Sequence, residues 1–389
     1  MATVADSSFT VEWLLNCLAE KDEEYKKFRE QSEVEKVDAA DISGGQGFGS
    51  NVYRCELTFK NGQIYTVILK VPRSDKVEEE AQHHDENDIA IAHNVHNREC
   101  YFYENFASSI QIPLAKVYAT REWHGKEDGC LLMENLSGIA KTAKLQDGFG
   151  KEEILTIAGY LAKLQAFFLC HSNEEWKEKQ KANMFNTVHA SRFFVDILDA
   201  YEKSHPDSHV EAVSFLRAVL NNQRALDYAM YDHAKETGLP VAFVHGDLWT
   251  HNIMWKVDGD GQMTKEVKAI LDWQMIHSGS PTFDLARFLA ISVDPEIRRK
   301  VEIDTLTHFY NTLVSELKNR GKAVDIKLEQ IIEAYRVNFV HQSLHIVGLV
   351  DFFPDIKEVL EKRADAALED VQKFKNELPA EVSKVLGAE

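Results

Sequence analysis

A carboxylate, an amide and a second carboxylate occur in this chain at a spacing that leaves few folds open. The run Val244-His245-Gly246-Asp247-Leu248-Trp249-Thr250-His251-Asn252 sets Asp247 and Asn252 five positions apart, and Asp272, in Ile270-Leu271-Asp272-Trp273, follows twenty residues after Asn252. Between them lie two short apolar runs, Ile253 to Trp255 and Val267 to Leu271, around the polar turn Asp258-Gly259-Asp260-Gly261. That pattern predicts a hairpin, and a hairpin would return Asp272 to the side of Asn252. Phosphoryl transfer needs a carboxylate to orient and deprotonate a hydroxyl. It also needs an amide oxygen and a second carboxylate to hold Mg²⁺. The bland alternative for the same three residues is a loop of assorted polar side chains.

The first half of the chain offers matching parts. Ser43-Gly44-Gly45-Gln46-Gly47-Phe48-Gly49-Ser50 stands directly before an apolar run. Gly45, Gly47, Gly49 and Ser50 would let backbone N–H groups approach phosphate oxygens, although alone the stretch is equally a flexible turn. No G-K-[ST] follows, and a strand follows where a dinucleotide fingerprint requires a helix. The runs Val52 to Phe59 and Ile64 to Val71, joined by Asn61-Gly62, predict a hairpin with a two-residue turn. Lys70, inside Val67-Ile68-Leu69-Lys70-Val71, is either an edge-strand charge or a point charge for phosphate. Glu99, on a predicted helix running into Cys100-Tyr101-Phe102-Tyr103, is placed to pair with it. Ala115 to Trp123 and Gly129 to Met133 read as further strands, with an apolar hinge at Leu131-Leu132-Met133-Glu134.

At 389 residues the chain is long for one core, so two lobes are expected. Residues 1–40 read as a helical extension, 41–136 as a small lobe of antiparallel sheet, and 137–389 as a mainly helical lobe. In the last, Ile154, Ile157, Ala158, Leu161, Leu164 and Phe168 trace one face of a helix over Lys151 to Cys170. A formal charge of −19 repels phosphate backbones and anionic membranes, so neither nucleic acid nor a membrane is an expected partner. Five scattered cysteines with no C-x-x-C pair suit a reducing compartment. With no basic start followed by an apolar block at the N-terminus, the expectation is a soluble, cytoplasmic protein.

Gly-rich turn, strand lysine, helix glutamate, hinge, aspartate, asparagine and metal aspartate follow one another as kinase parts do. On His245-Gly246-Asp247 with Asn252, Leu271-Asp272-Trp273-Gln274 and Pro281-Thr282-Phe283-Asp284-Leu285-Ala286, the chain resembles the choline-kinase-like and aminoglycoside-phosphotransferase branch of the kinase fold. Within that branch it most closely resembles the ecdysteroid-kinase-like (CHK kinase-like) group, over roughly residues 40 to 350. The resemblance implies an α+β, two-lobed protein-kinase-like fold and an ATP- and Mg-dependent kinase. Asp247 would be the catalytic base, Asn252 and Asp272 the Mg²⁺ ligands, Lys70 the phosphate lysine and Glu99 its partner. Met133, Glu134 and Leu136 would form the adenine hinge, with His245 and Asp284 as structural support for the catalytic loop.

Two positions depart from that pattern. The third glycine of Gly45-x-Gly47-x-Gly49 comes one place early for G-x-G-x-x-G, and Gln165 stands where many relatives have histidine. Eleven residues between Asp272 and Asp284, with no A-P-E, leave no room for a protein-kinase activation segment, which favours a small-molecule acceptor. A binding protein without turnover, the alternative class, would be expected to lack Lys70, Asp247, Asn252 or Asp272. For the acceptor, Trp249, Trp273, Phe283, Phe288, Tyr310 and Tyr335 suit a cage for a quaternary ammonium, a slot for an apolar alcohol, or plain core. The resemblance favours a steroid-like or xenobiotic alcohol over choline-like amines and aminoglycosides. His83-His84-Asp85-Glu86 and His93-x-x-His96 read as a solvated loop, and His341 and His345 as core or pocket lining, since Gln342 denies them H-E-x-x-H. Glu174 to Lys181 reads as a solvated helix face.

Overall fold

The structure, a computed structural model, describes residues 2–43, 50–73, 86–181, 188–323 and 325–387, and the side chains of all of these but 86–91 and 188–190. Two short helices open the chain, α1 (Val11–Lys21) and α2 (Glu23–Gln31), capped by the side chains of Thr10 and Asp22. The helix expected to run on to residue 40 stops at Gln31 and is replaced by a strand, β1 (Val34–Asp41), which pairs antiparallel with β2 (Ser50–Phe59). Val34, Val37 and Ala39 of β1 pack on the sheet core, while Lys36 and Asp38 face water. Charges there suit an edge strand, where they discourage pairing with another chain, as well as they suit a helix face.

The hairpin of β2 and β3 (Ile64–Pro72) forms as expected, but its loop has three residues. Phe59 N donates to Gln63 O at 2.9 Å and Gly62 N to Phe59 O at 2.8 Å, and within the loop only Gly62 takes a positive φ, +82°. Helix α3 (Glu86–Asn105) follows, then β4 (Val117–Arg121) and β5 (Cys130–Glu134). The strand order is β1-β2-β3-β5-β4, with every pairing in this sheet antiparallel. One face of the sheet (Cys55, Leu57, Phe59, Val67, Leu69, Cys130, Leu132) is buried against Phe9, Leu14, Leu18 and Tyr25. Side chains alternate along a strand, so Lys70, between Leu69 and Val71, is turned to the opposite face, where it meets Glu99 of α3.

The remainder is largely helical. β6 (Ala140–Thr142) leads to α4 (Lys151–Cys170), whose buried positions are those the periodicity predicts. By length and apolar composition alone α4 is able to cross a membrane, but most of it is buried inside the protein. Next come α5 (Glu175–Lys179), α6 (Val188–Ser204), α7 (Val210–Leu220), and α8 (Gln223–Asp227) and α9 (His233–Glu236) on either side of a π turn. β7 (Ala242–Val244), β8 (Ile253–Val257), β9 (Met263–Ile270) and β10 (His277–Gly279) interrupt the helices. α10 (Phe283–Ser292), α11 (Pro295–Asn319), α12 (Leu328–Phe352), α13 (Lys357–Glu377) and α14 (Ala380–Val385) complete the chain. Two ring stacks tie long helices to the segments around the site: Phe168 of α4 on Phe243 of β7 at 3.8 Å, and Phe102 of α3 on Trp273, in the turn after β9, at 3.9 Å. Phe102 lies one helical turn from Glu99 and Trp273 directly follows Asp272, so the second stack sets the separation of those two carboxylates.

Candidate active site

β7 runs into His245-Gly246-Asp247, whose backbone is shaped by need. Gly246 has φ +84°, and a Cβ there would lie 2.1 Å from Met275 O, so no side chain fits. Asp284, at the start of α10, accepts hydrogen bonds from His245 N at 2.8 Å and Gly246 N at 2.9 Å. His245 ties this loop to the strand bearing Asp272. Its Nδ1 accepts from Asp247 N at 3.2 Å, which fixes the tautomer, so Nε2 donates to Leu271 O at 2.9 Å. Burial pulls His245 down to about 4 and keeps it neutral.

β8 and β9 form the expected hairpin, opening with Ile253 opposite Ile270, and Leu271 N donates to Asn252 O at 2.9 Å. Asn252 Nδ2 donates both to Asp247 O at 2.7 Å and to Asp247 Oδ2 at 3.1 Å. The amide nitrogen is thereby committed to Asp247, leaving the carbonyl oxygen available to a cation. Asp272 has φ +65°, an uncommon conformation for aspartate that aims its carboxylate back at the sheet. Lys70 Nζ donates to Asp272 Oδ1 at 2.6 Å and to Glu99 Oε2 at 2.7 Å, and Gln274 Nε2 donates to Asp272 Oδ2 at 3.0 Å.

The electrostatics follow from these contacts. Burial opposes the charge on Lys70, but the Asp272 and Glu99 carboxylates outweigh it and hold the ammonium above the usual lysine range. Asp247 is raised by burial, an effect that Arg287 opposes and Asp272 reinforces. Asn252 and Asp272 present oxygen donors, which suit a hard divalent cation completed by phosphate and water. Lys70, Glu99, Asp247, Asn252, Asp272, His245 and Asp284 thus form one connected group.

The other sequence expectations fare variously. Gly45, Gly47 and Gly49 lie outside the described residues, and Ser50 begins β2 opposite Pro72. Met133 and Glu134 end β5, and Leu136 is buried with Ala115 and Ala269, packed against Leu271 beside Asp272. Gln165 donates to Pro281 O at 2.5 Å, bracing the turn before Asp284. His83 and His84 lie outside the described residues. His93 and His96 correct the loop reading: both lie on α3, and His96 is buried with Nε2 bonded to Arg121 O at 2.8 Å. Trp176 corrects the solvated-face reading, because it is buried edge-on against Phe243 at 5.5 Å. Trp273, Phe283, Phe288 and Tyr335 are core, whereas Trp249 is half-buried with its ring 6.3 Å from Phe353.

Sequence reasoning missed Arg287. Its Nη2 donates to Asp247 Oδ1 at 2.6 Å. The signal was present, for Arg287 stands three residues after Asp284, one turn along a helix whose start already grips the Asp247 loop.

Residues 26–385 match the model of the family DUF1679, described as "Uncharacterized oxidoreductase dhs-27". A Caenorhabditis elegans protein of that same description is 27% identical over 348 residues, which are 86% of this chain but 41% of the worm protein. The C. elegans "Uncharacterized kinase-like protein D1044.1" is 23% identical over 310 residues, 77% of this chain and 78% of its own length. Among solved structures, choline kinase from Cryptosporidium parvum Iowa II aligns over 97% of this chain and 99% of its own, with a TM-score of 0.53 at 10% identity. That likeness establishes a shared α+β, protein-kinase-like fold.

Proposed function

The chain belongs to the DUF1679 family, and we propose that it is an ATP-dependent phosphotransferase acting on a hydroxyl of a small molecule. The observation that carries this reading is the meeting of Lys70, delivered by the sheet, with Asp272 at 2.6 Å, on the same strand connection that positions Asn252 and Asp247. In this reading Asp247 orients the acceptor hydroxyl and takes its proton as the new O–P bond to the γ-phosphorus of ATP forms and the bond from that phosphorus to the bridging oxygen breaks, with ADP as the leaving group. Lys70, steadied by Glu99, places positive charge against the phosphates of ATP. A magnesium ion held by Asn252 and Asp272 would add positive charge at those phosphates. The kinase-like description of one worm relative agrees. The oxidoreductase description of the other concerns a protein of which this chain spans less than half, and among the described residues the five-stranded sheet pairs antiparallel, whereas a dinucleotide site is built on a parallel crossover.

For the acceptor we propose a lipophilic alcohol of the steroid or xenobiotic kind, in keeping with the ecdysteroid-kinase-like resemblance. Aromatic side chains stand near groups linked to Asp247: Trp249, two residues along the chain, is near Phe353, and Phe194 has its ring 4.7 Å from His345, which Arg287 joins to Asp247. Five free thiols suit a cytoplasmic setting. The test is a screen of alcohols and amino-alcohols with ATP and Mg²⁺, read by mass spectrometry for a gain of one phosphoryl group. A phosphorylated lipophilic alcohol supports the proposal, and a phosphorylated amine alcohol alone replaces its acceptor class. Neither product, together with no Mg²⁺-dependent ATP hydrolysis, defeats it.

A further inference from the structure

Of the groups surrounding the site, one cluster plays no part in the scheme above. The sequence places His341, Gln342 and His345 on α12 in a pattern one residue short of a metal-protease motif, and the structure gives them a different task. Arg287 Nη1 donates to Gln342 Oε1 at 3.1 Å and to His345 Nε2 at 3.0 Å, while Nη2 donates to Asp247 Oδ1 at 2.6 Å. Gln342 is in turn oriented by His341, its Nε2 lying 2.8 Å from His341 Nδ1, so that its oxygen faces the guanidinium. The Arg287 side chain is 9% exposed and Gln342 fully buried.

We infer that Arg287 is a positioning residue for Asp247, held in place from α12 by Gln342 and His345; this rests on the phosphotransferase reading. A guanidinium is a planar fork, and fixing one arm on α12 fixes the direction in which the other arm holds the carboxylate. Asp247 needs such a hold. It sits on a loop whose preceding residue has a left-handed backbone, and Asn252 touches its other oxygen at 3.1 Å. A carboxylate has about four lone-pair sites, so with two occupied the rest remain for an acceptor hydroxyl in a set direction. The ion pairs also divide the charge: Lys70 stands between Asp272 and Glu99, and Arg287 faces Asp247, so each of these carboxylates touches a cation.

The test uses the full chain and two readouts, Mg²⁺-dependent ATP hydrolysis and binding of a fluorescent ATP analogue. Arg287→Ala is expected to lower the hydrolysis rate about tenfold or more, since small misplacements of a reacting group cost up to about a hundredfold. Nucleotide affinity is expected to stay within about twofold of wild type, and guanidinium ion at millimolar concentration to restore part of the rate. Gln342→Leu is expected to show a smaller loss of the same kind. A rate near wild type for Arg287→Ala, or a loss matched in nucleotide affinity and insensitive to guanidinium, overturns the inference. If the wild-type chain hydrolyses no ATP, the phosphotransferase reading fails, and thermal melts of Arg287→Ala, Asp247→Ala and the double variant judge the pairing alone. Losses in Tm that fall short of additivity support the pairing and simple additivity overturns it, with Arg287→Gln standing in if the alanine variant does not fold.

Discussion

Lys70 Nζ lies 2.6 Å from Asp272 Oδ1 across 202 residues of sequence. The lysine comes from the middle of an antiparallel sheet and the aspartate from the end of a hairpin among helices. With Glu99 on the lysine's other side, three charges from three elements share one small volume, and each is held by its neighbours.

Asp247→Asn is expected to reduce phosphoryl transfer or ATP hydrolysis by roughly a hundredfold or more, the usual worth of a positioned base. Nucleotide affinity should stay near wild type, because Asp247 contacts Asn252 and Arg287 and not Lys70. Steady-state rates with nucleotide titrations check this, and a near-normal rate would remove Asp247 from its role.

Lys70→Ala should act on the nucleotide side. It leaves Glu99, 2% exposed, without its ammonium partner, so weaker ATP binding and a lower Tm are expected together. Titration with an ATP analogue and a melting curve test both, and unchanged affinity with an unchanged rate would place Lys70 outside the site.

Gly246→Ala should be severe for a backbone reason. The new Cβ would meet Met275 O at 2.1 Å in a conformation with φ +84°, so the Asp247 loop has to shift. A loss on the order of 3 kcal/mol in urea unfolding is expected, in line with other strained-backbone substitutions. A loss under about 1 kcal/mol would show that the loop is more tolerant than its contacts imply.

Acid should destabilise the protein through its buried histidines. Burial pulls His96, His245 and His341 down to about 4 and His277 to about 3, whereas each titrates near 6.5 when unfolded. The unfolded chain therefore binds more protons between about pH 4 and 6.5, so the stability that these neutral rings contribute is present above that window and lost as pH falls through it. Burial also raises carboxylates, Asp284 to about 6 and Asp247, Glu99 and Glu302 with it, and these work in the opposite sense, but burial lowers His93, His233, His251 and His345 as well, so the histidines outnumber them. Melting temperatures measured from pH 7.5 to pH 4.5 should fall, and a flat or rising trend would contradict the assignment of these rings as neutral.

Much of the site was legible before the fold. Asp247, Asn252 and Asp272 fall at a spacing that a loop and a hairpin convert into proximity, and the hairpin was visible as two apolar runs around Asp258-Gly259-Asp260-Gly261. Lys70 was ambiguous between an edge charge and a site charge, and the strands paired on both sides of β3 remove the edge reading. The strand at Val34–Asp41 was hidden because its charges fit a solvated helix equally well, and only pairing with β2 distinguishes the two. Trp176 was hidden among charges for a similar reason: one large ring was enough to turn a short helix inward.

By itself the sequence determined which local elements form and which chemical groups they carry, because turn residues and hydrophobic period act over a few positions. Which groups meet was decided by tertiary structure. The grip of Arg287 on Asp247, and of Gln342 and His345 on Arg287, depends on how α10 packs against α12. Periodicity reveals that a helix buries a face; it does not reveal what that face is buried against, since burial has no direction and long-range pairing leaves no mark in any short window of sequence.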